Sequence, residues 1–596
     1  MDISFTIIEL IMMALLFVVA QQSEKKPNNM WRLLYVAPAF IAVIMVLLIG
    51  FDVHHTGIYV AAFVQICALF ADKVRAKQIL AVCSVALIAV SFALITLSSN
   101  YHREAYYADF EKTFNAMKEH YVLDKEKGID WNGLYAKYDP LFKEVDKTQD
   151  YVKNYQVWQQ FCGEFYDGHV GYRMSSDGLF RYAFCKSYGN DYGLSLARLS
   201  TGEFVAINVE GYDNSYSVDN KDKDDVGFYM VKKVFDCKDA DKLTLKNAGI
   251  KNGTIITKWN GKPIDEYYDE IKYYMEQYPV RENEEFYLPM YVAGIGRDMD
   301  YGVTYVPGET YENVEGKEMT DAPVADITFI DESGEEKTIT APCLGSYMMR
   351  MYDTNKKLDD GVNITNLKWQ KINDDTYIIR ISEMAYDQET YSGTDFTEMT
   401  DKLRGEVEAL KKEGVKNIVF DLRSNGGGSP YFVEGIACLF APKGEHLTYY
   451  SAVINEDTAT FERGEDGKYI MGTPSSYVGE DLWHDGNIIL LVNAKTVSAG
   501  DDMTYMMGDF PNVKVIGLTS SNSSCQAVKV LMLNEGEISF SAVPNLLPNG
   551  EIAIDTYTDH VGRTPFDEKI PFDENVIESI FDKGEDCLLN YAVNAF

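Results

Sequence analysis

The chain has 596 residues, of which 46% are hydrophobic and 24% charged, so it holds enough apolar material for several folded domains. Its formal net charge of -36 at pH 7 argues against a protein that binds nucleic acids through their phosphates. The nine cysteines occur without a CxxC motif, and no HExxH motif is present, so neither a zinc site nor a disulfide framework is indicated. We expect no metal or other cofactor.

The first hundred residues differ from the rest, because four apolar stretches follow one another. They are Phe5–Ala20, Leu33–Phe51, Gly57–Ala71 and Ile79–Leu97. Two have the length of about 20 residues expected for a membrane-spanning helix, and the other two are nearer the lower limit of about 17. This pattern predicts a four-helix transmembrane anchor over residues 1–98.

The connections between these stretches predict an orientation. Lys and Arg occur after the first and third stretches, whereas residues 52–56, between the second and third, contain none. By the positive-inside rule the basic connections are cytoplasmic. We therefore expect a multi-pass protein of the cell membrane, with the lipid bilayer as a partner and with its N-terminus and large C-terminal part extracytoplasmic.

Residues 99–186 have a helical pattern and are predicted to form a cap segment. Residues 187–280 alternate strand and turn signals, and the run AGIKNGTIITKWNGKPI within them resembles the closing half of a PDZ domain. In a PDZ domain a backbone loop holds the terminal carboxylate of a bound peptide. The resemblance implies two alternative positions for that loop, which are Tyr192-Gly193-Leu194 and Gly227-Phe228.

Residues 281–370 are predicted to be a β-rich bridging segment, and residues 371–596 show a clear alternation of strands and helices. Strand NIVFDLR precedes the loop SNGGGSP and a helix, and strand NIILLVN precedes AKTV and the helix SAGDDMTYMMGDF. Alternation of this kind favours a parallel sheet with right-handed crossovers, in which sites gather where strands end and helices begin.

Two short stretches at such strand ends carry chemistry. Three glycines, Gly426 to Gly428, let the backbone turn sharply and expose its amides; the Lys of a phosphate-binding loop is missing, so an oxyanion hole is the better interpretation. Ser498 stands where a helix begins, with the Ala499 amide beside it. A serine at that position is either a helix cap or a nucleophile.

VFDLRSNGGG, VNAKTVSAGDDM and VIGLTSS, taken together, resemble the motifs of the tail-specific (C-terminal processing) serine peptidases. The resemblance covers roughly residues 150–590 and implies a crotonase-like α/β catalytic domain preceded by a PDZ domain. It also implies that Ser498 is the nucleophile and that amides of Ala499 and of Gly426 or Gly427 bind the oxyanion.

One branch of that family uses a lysine about 25 residues after the nucleophile, but no lysine stands there in this chain. Tyr166-Asp-Gly-His-Val170 instead resembles the histidine segment of the tricorn-like branch, which implies that His169 is the general base. Asp559 aligns with the acid that supports the histidine in that branch, although the family has Glu. Lys495, Lys529 and His560 remain alternative bases.

The sequence therefore predicts a membrane-anchored, extracytoplasmic serine endopeptidase that acts on unfolded polypeptides or C-terminal tails. Two alternatives stay open. A catalytically inactive relative would serve as a membrane-anchored peptide-binding or sensing module. A crotonase-like acyl-CoA enzyme would share the fold, but the serine and the histidine argue against it.

Overall fold

The computed structural model describes most of the chain after residue 103. The described residues are 104–175, 177–210, 245–272, 281–359, 367–385, 397–521, 526–554, 557 and 566–596, together with isolated positions between residues 60 and 83. Ala105–Phe596 form one compact unit. The elements below belong to this unit.

The four-helix anchor predicted for residues 1–98 is not supported. A helix needs about 20 consecutive apolar residues to cross the hydrocarbon core of a bilayer, and no helix among the described residues meets that requirement. Most of residues 1–98 lies outside the described part of the chain. The transmembrane part of the predicted fold class, the lipid bilayer as a partner and the multi-pass membrane location are corrected accordingly.

Helices occupy most of the segment predicted as a cap. Its elements are α1 (Tyr106–His120), α2 (Trp131–Thr148), α3 (Tyr151–Gly163), β1 (Gly171–Met174) and α4 (Asp177–Cys185). Asp130 and Asp150 cap α2 and α3, each accepting hydrogen bonds from two backbone amides. The helices enclose an aromatic core in which Phe110, Phe142 and Trp158 are fully buried.

A β-rich region follows. Its elements are β2 (Ser195–Arg198), β3 (Phe204–Ile207), β4 (Ile256–Trp259), β5 (Lys262–Pro263), α5 (Tyr268–Ile271), α6 (Arg281–Val292), β6 (Tyr311–Glu312), β7 (Glu318–Met319), β8 (Val324–Ile330), β9 (Glu336–Pro342) and α7 (Met348–Asp359). Four of the strands form an antiparallel sheet in the order β5-β4-β8-β9. Because β4 pairs with β8, this sheet crosses the boundary predicted at residue 280.

The remaining elements form the central α/β sheet with its helices and contribute strands to three smaller sheets. They are β10 (Trp369–Lys371), β11 (Thr376–Arg380), α8 (Thr397–Lys412), β12 (Asn417–Asp421), α9 (Pro430–Phe440), β13 (Gly444–Ala452), β14 (Ile454–Asn455), β15 (Thr460–Phe461), β16 (Met471–Gly479), β17 (Asn487–Val492), α10 (Ala499–Gly508), β18 (Val513–Gly517), β19 (Ala527–Met532), β20 (Gly536–Val543), β21 (Asn545–Leu546), β22 (Glu568–Lys569), α11 (Glu574–Ile577) and α12 (Cys587–Asn594). The six-stranded central sheet has the order β10-β11-β12-β17-β18-β22, and only its β10–β11 pair is antiparallel.

Both faces of the central sheet are covered, which explains the uninterrupted apolar runs of its strands. Alternate residues such as Val419, Ile489 and Leu491 join the core shared with the β-rich region and the C-terminal helices. Their neighbours Phe420 and Leu490 join the core formed with α8, α9 and α10. The central sheet therefore separates two cores, and its strand ends remain available for a site.

A three-stranded antiparallel sheet, in the order β1-β20-β19, connects the cap helices to the C-terminal region. Gly171 of β1 lies opposite Ser539 of β20. The buried Asp109 of α1 accepts hydrogen bonds from the amides of Asn534 and Glu535 and so holds the β19–β20 turn. The cap segment and the C-terminal β19–β20 hairpin are therefore joined by strand pairing and by buried hydrogen bonds.

Candidate active site

The glycine loop and the serine helix follow neighbouring strands. β12 and β17 are parallel and in register, with Asp421 opposite Leu491, so their carboxyl ends lie side by side. The loops that leave them are tied together: the Thr496 hydroxyl donates to the Leu422 carbonyl at 2.7 Å, and the Asn493 carboxamide accepts the Ser424 amide at 2.9 Å. The two motifs thus form a single site.

Asn425 organises this site. Its fully buried carboxamide donates to the Ile381 carbonyl at 2.7 Å and accepts the Gly427 amide at 2.8 Å. Its own carbonyl accepts the Val497 amide at 2.9 Å. A Cβ on Gly500 would lie 2.8 Å from the Asn425 oxygen, so a side chain at position 500 would collide with it. Asn425 therefore sets the distance between the glycine loop and the start of α10.

Ser498 is the N-cap residue of α10, but its side chain makes no capping hydrogen bond. Its backbone has φ 55° and ψ -128°, whereas an ordinary N-cap lies in the β region. A non-glycine residue in such a conformation costs about 1–3 kcal/mol and is held there by its surroundings. Serine nucleophiles of other hydrolases occupy strained strand-to-helix turns of this kind.

The glycine loop packs directly against Ser498. Gly427 has φ +94°, and a Cβ at that position would lie 2.7 Å from the Ser498 Cβ and 3.2 Å from the Ala499 nitrogen. Only glycine suits this approach and this conformation. Three amides are predicted to bind an oxyanion. The Gly427 amide already donates to Asn425, whereas the amides of Gly426 and Ala499 have no acceptor among the described residues.

A buried cluster of charged side chains lies at the end of β12, where the glycine loop begins. Arg423 donates to both oxygens of Asp421, at 2.9 and 2.8 Å, and to both oxygens of Asp586 at the start of α12, at 2.9 and 2.7 Å. Burial alone would raise the pKa of Asp421, but the guanidinium groups of Arg423 and Arg380 outweigh it and hold that pKa below its ordinary value. Asp421 therefore stays charged, and Arg423 ties the loop to the C-terminal helix.

His169 lies in a tight turn just before β1. Asp167 accepts the His169 amide at 2.9 Å through its carboxylate and the Val170 amide at 3.0 Å through its carbonyl. The Ser539 hydroxyl donates to the His169 carbonyl at 2.9 Å. The imidazole Nδ1 is buried, with no hydrogen-bond partner among the described residues. Burial lowers the pKa of His169, and the charge of Asp167 partly offsets this effect.

No hydrogen bond within the described part of the chain joins His169 to Ser498. Asp559 and its neighbour His560 lie outside the described residues. Of the alternative bases, Lys495 precedes Ser498 in the same loop, and Lys529 is exposed on β19.

The segment 192–194 does not have the character of a carboxylate-binding loop. Tyr192 and Leu194 are fully buried, and the Gly193 amide donates to the carboxylate of Asp191 at 2.8 Å. Asp191 is itself paired with Arg350 at 2.6 Å, and both side chains are about 1% exposed. The alternative loop at Gly227 and Phe228 lies outside the described residues. The predicted PDZ function is therefore unsupported.

Sequence reasoning missed Asn425 and Asp586. Asn425 stands inside the glycine motif, and an asparagine two residues before a glycine amide is a common turn former, so its role was accessible in principle. Asp586 lies 163 residues after Arg423, and nothing in the local sequence connects the two.

Comparison with known proteins identifies two regions of the chain. Residues 375–558 match the model of peptidase family S41, and residues 102–153 match that of the tricorn protease C1 domain. The S41 match contains the three motifs that suggested the resemblance, whereas the tricorn C1 match precedes the histidine segment and lies almost entirely before the region in which the resemblance was predicted.

Three solved structures illustrate the likeness. Mature CPAF, complexed with lactacystin, is 11% identical over 82% of this chain and 97% of its own, with a TM-score of 0.48. The photosystem II D1 C-terminal processing protease is 13% identical over 81% and 99%, with a TM-score of 0.31. The tricorn protease is 14% identical over 82% and 36%, with a TM-score of 0.31. The chain therefore contains a peptidase S41 domain and a tricorn C1 domain, and it is a serine-type peptidase.

Proposed function

We propose that the protein is an endopeptidase that cleaves polypeptides through an acyl-enzyme on Ser498, with His169 as the general base. The observation that carries this proposal is the state of Ser498. It occupies an N-cap position without capping the helix, in a left-handed backbone conformation, against a glycine that tolerates no side chain. These features suit a hydroxyl that is kept available for attack.

In the proposed reaction His169 takes the proton of the Ser498 hydroxyl while Oγ bonds to the carbonyl carbon of the scissile peptide. The resulting oxyanion collapses, the C–N bond breaks, and the imidazolium returns its proton to the leaving amine. Water then attacks the ester with His169 again as the base, which releases the new carboxyl group and restores Ser498.

The amides of Ala499 and Gly426 are the proposed oxyanion donors. Ala499 is the first residue of α10, where an amide has no partner within the helix and carries the positive end of the helix dipole. The hydrogen bond of Gly427 to Asn425 leaves Gly426 as the donor from the predicted pair. One such donor is worth about 3–4 kcal/mol of transition-state stabilisation.

A base must be neutral before it can take a proton, and the buried setting of His169 favours its neutral form. We propose Asp559 as the acid that orients the imidazole, on the strength of the tricorn-like segment that surrounds it. The substrate class that fits a tail-specific peptidase is an unfolded polypeptide or an unstructured C-terminal tail.

A fluorophosphonate probe tests the proposal on the full chain. We expect covalent labelling of Ser498 in the wild type, together with cleavage of an unfolded polypeptide such as casein. Both should be lost in Ser498→Ala. Ser429→Ala is the matched control, because Ser429 also precedes a helix and makes no side-chain capping hydrogen bond.

Labelling of the wild type at another residue, or equal cleavage by Ser498→Ala, would remove Ser498 as the nucleophile. A wild-type protein that takes no label, cleaves no polypeptide and still binds peptides would instead be an inactive, peptide-binding relative.

A further inference from the structure

Strand β19 is an edge strand with an apolar exposed face. Among the described residues it pairs only with β20, on one side. Val528, Val530 and Met532 alternate along it and are 47%, 52% and 63% exposed. Exposed apolar edges favour pairing with another chain. β19 carries one exposed lysine, Lys529, and a register shift between Ala527 and Val528, but from Val528 onwards its ladder is regular.

The backbone of these three residues also faces outward. The Leu533 amide donates to the Gly536 carbonyl at 2.8 Å, which sets the phase of the β19–β20 ladder. In an antiparallel pair alternate residues point their amides and carbonyls away from the partner strand. Residues 528 and 530 therefore present amides and carbonyls at this edge that have no partner among the described residues. In agreement, the Met532 carbonyl accepts a hydrogen bond from the Lys112 ammonium at 2.6 Å.

The edge strand is linked to both halves of the candidate active site, to His169 through the sheet and to α10 along the chain. On one side, Gly171, Ser539 and Val530 form a row across the sheet, and His169 lies two residues before Gly171, in the turn that leads into β1. On the other side, the buried Ser521 hydroxyl donates to Asp501, in the first turn of the helix that begins after Ser498. In the register of the sheet, Val528 lies opposite Ser541, two residues beyond the partner of Gly171, so the N-terminal end of β19 is the end nearer to the turn of His169.

A cleft of about 400 Å³ opens on the face of this sheet. Its lining includes Gly171, Ser539 and Val530, which form the row described above. It also includes the paired residues Arg173 and Glu537, two positions further along the same face. Side chains of a strand added beside β19 would alternate between this face and the opposite one. The cleft therefore offers room for side chains of a bound segment.

We propose that β19 is the docking site for the polypeptide substrate, which adds to the sheet as an extended strand and directs its scissile bond towards Ser498. The ligand class is an extended peptide with apolar side chains at alternate positions, bound through main-chain hydrogen bonds to residues 528 and 530. The inference rests on the proposed peptidase function and names how its substrate is held.

Val530→Pro tests the docking site, because proline removes one outward amide and is tolerated at an edge strand. Val530→Thr is the matched control, since it keeps the amide and the β-branched shape. We expect Val530→Pro to raise KM for an unfolded polypeptide about tenfold or more, through loss of main-chain hydrogen bonds, while Val530→Thr stays within about threefold. Fluorophosphonate labelling of Ser498 should be unchanged in both variants.

Val528→Lys is a second variant in case proline disturbs the hairpin, and the same rise in KM is expected because the charge lies on the exposed apolar face. An unchanged KM in well-folded Val530→Pro and Val528→Lys would overturn the docking site, although Ser498 would still be labelled. Loss of labelling in the wild type would instead refute the peptidase proposal, so the two failures are distinguishable.

Direct binding to full-length Ser498→Ala provides the second test. The probe is a fluorescent ten-residue peptide of alternating Val and Thr, compared with the same peptide N-methylated at alternate amides. Fluorescence anisotropy should show at least about tenfold weaker binding of the N-methylated peptide, because it cannot add as a strand. Equal affinity would overturn the proposal. It would also be overturned if the edge mediates only self-association, seen as a concentration-dependent dimer that Val530→Pro dissolves while the peptide does not bind.

Discussion

Ser498 and His169 lie in structural settings of opposite kinds. Ser498 belongs to a pair of loops that follow adjacent parallel strands and are joined by hydrogen bonds through Asn425, Asn493 and Thr496. His169 lies in a turn at the start of an outer antiparallel sheet. Its main chain is held by Asp167 and Ser539, but no partner among the described residues holds its buried Nδ1.

The difference shows where preorganisation resides in this protein. The proposed nucleophile and its amides are set by one continuous piece of the fold, so the strain at Ser498 is supported before any substrate arrives. The proposed base depends on a pairing between strands that are more than 350 residues apart. We therefore expect substitutions on the serine side to act mainly on transition-state stabilisation, and those on the histidine side to act on proton transfer and its pH dependence.

The largest expected effect in this comparison is that of His169→Ala. Removing the general base should lower kcat for polypeptide cleavage about 10⁴-fold, with little change in KM. The measurement is steady-state cleavage by the full chain, and His484→Ala, at an exposed histidine, is the control. A loss below tenfold would mean that Lys495, Lys529 or His560 is the base.

Gly427→Ala should have the next largest effect. The added Cβ would meet Ser498 at 2.7 Å and would occupy a backbone conformation with φ +94°, so the nucleophile must shift. We expect kcat to fall about 10²-fold or more, as it does when one oxyanion donor is lost. The pH dependence of kcat should match that of the wild type. Gly405→Ala is the control, because a Cβ there meets nothing within 4 Å. A Gly427→Ala enzyme with wild-type kcat would show that the close approach is unimportant.

The smallest effect concerns pH. Burial lowers the pKa of His169 below its ordinary value of 6.5, so the neutral base should persist as pH falls through 6.5, and the acid limb of kcat/KM should lie below that value. Asp167→Asn keeps the oxygen that accepts the His169 amide but removes the charge that favours the imidazolium. The acid limb should then move to lower pH by up to about one unit.

Asp466→Asn is the control for this change, because Asp466 accepts the amide two residues ahead in the same way and lies exposed in another loop. A limb that moves to higher pH in Asp167→Asn, or that lies above 6.5 in the wild type, would contradict a buried His169 as the base.

Local pattern was enough to predict much of the catalytic part. The alternation of apolar strands and amphipathic helices predicted a parallel sheet, and the structure confirms it over β11, β12, β17, β18 and β22. The positions of the glycine loop and of Ser498 at neighbouring strand ends follow from the same alternation. These features were predictable because strand period, helix period and glycine turns are encoded within short segments.

Apolar composition alone was a weaker guide. It predicted a transmembrane anchor over residues 1–98, and no helix among the described residues is suited to that role. It also could not distinguish an open carboxylate-binding loop from a buried one, because the difference at residues 192–194 depends on Asp191 and on Arg350, which lies far away in the sequence.

Sequence by itself determined the peptidase motifs, the α/β alternation and the candidates Ser498 and His169, because each is encoded in a short stretch. The tertiary structure decided that Ser498 is strained rather than capping, that Asn425 joins the two loops and that Asp586 supports them. It also decided that β1 pairs with β20 and leaves β19 at an edge. These features depend on contacts between distant segments, whose geometry is set only when the sheets and the cores form together.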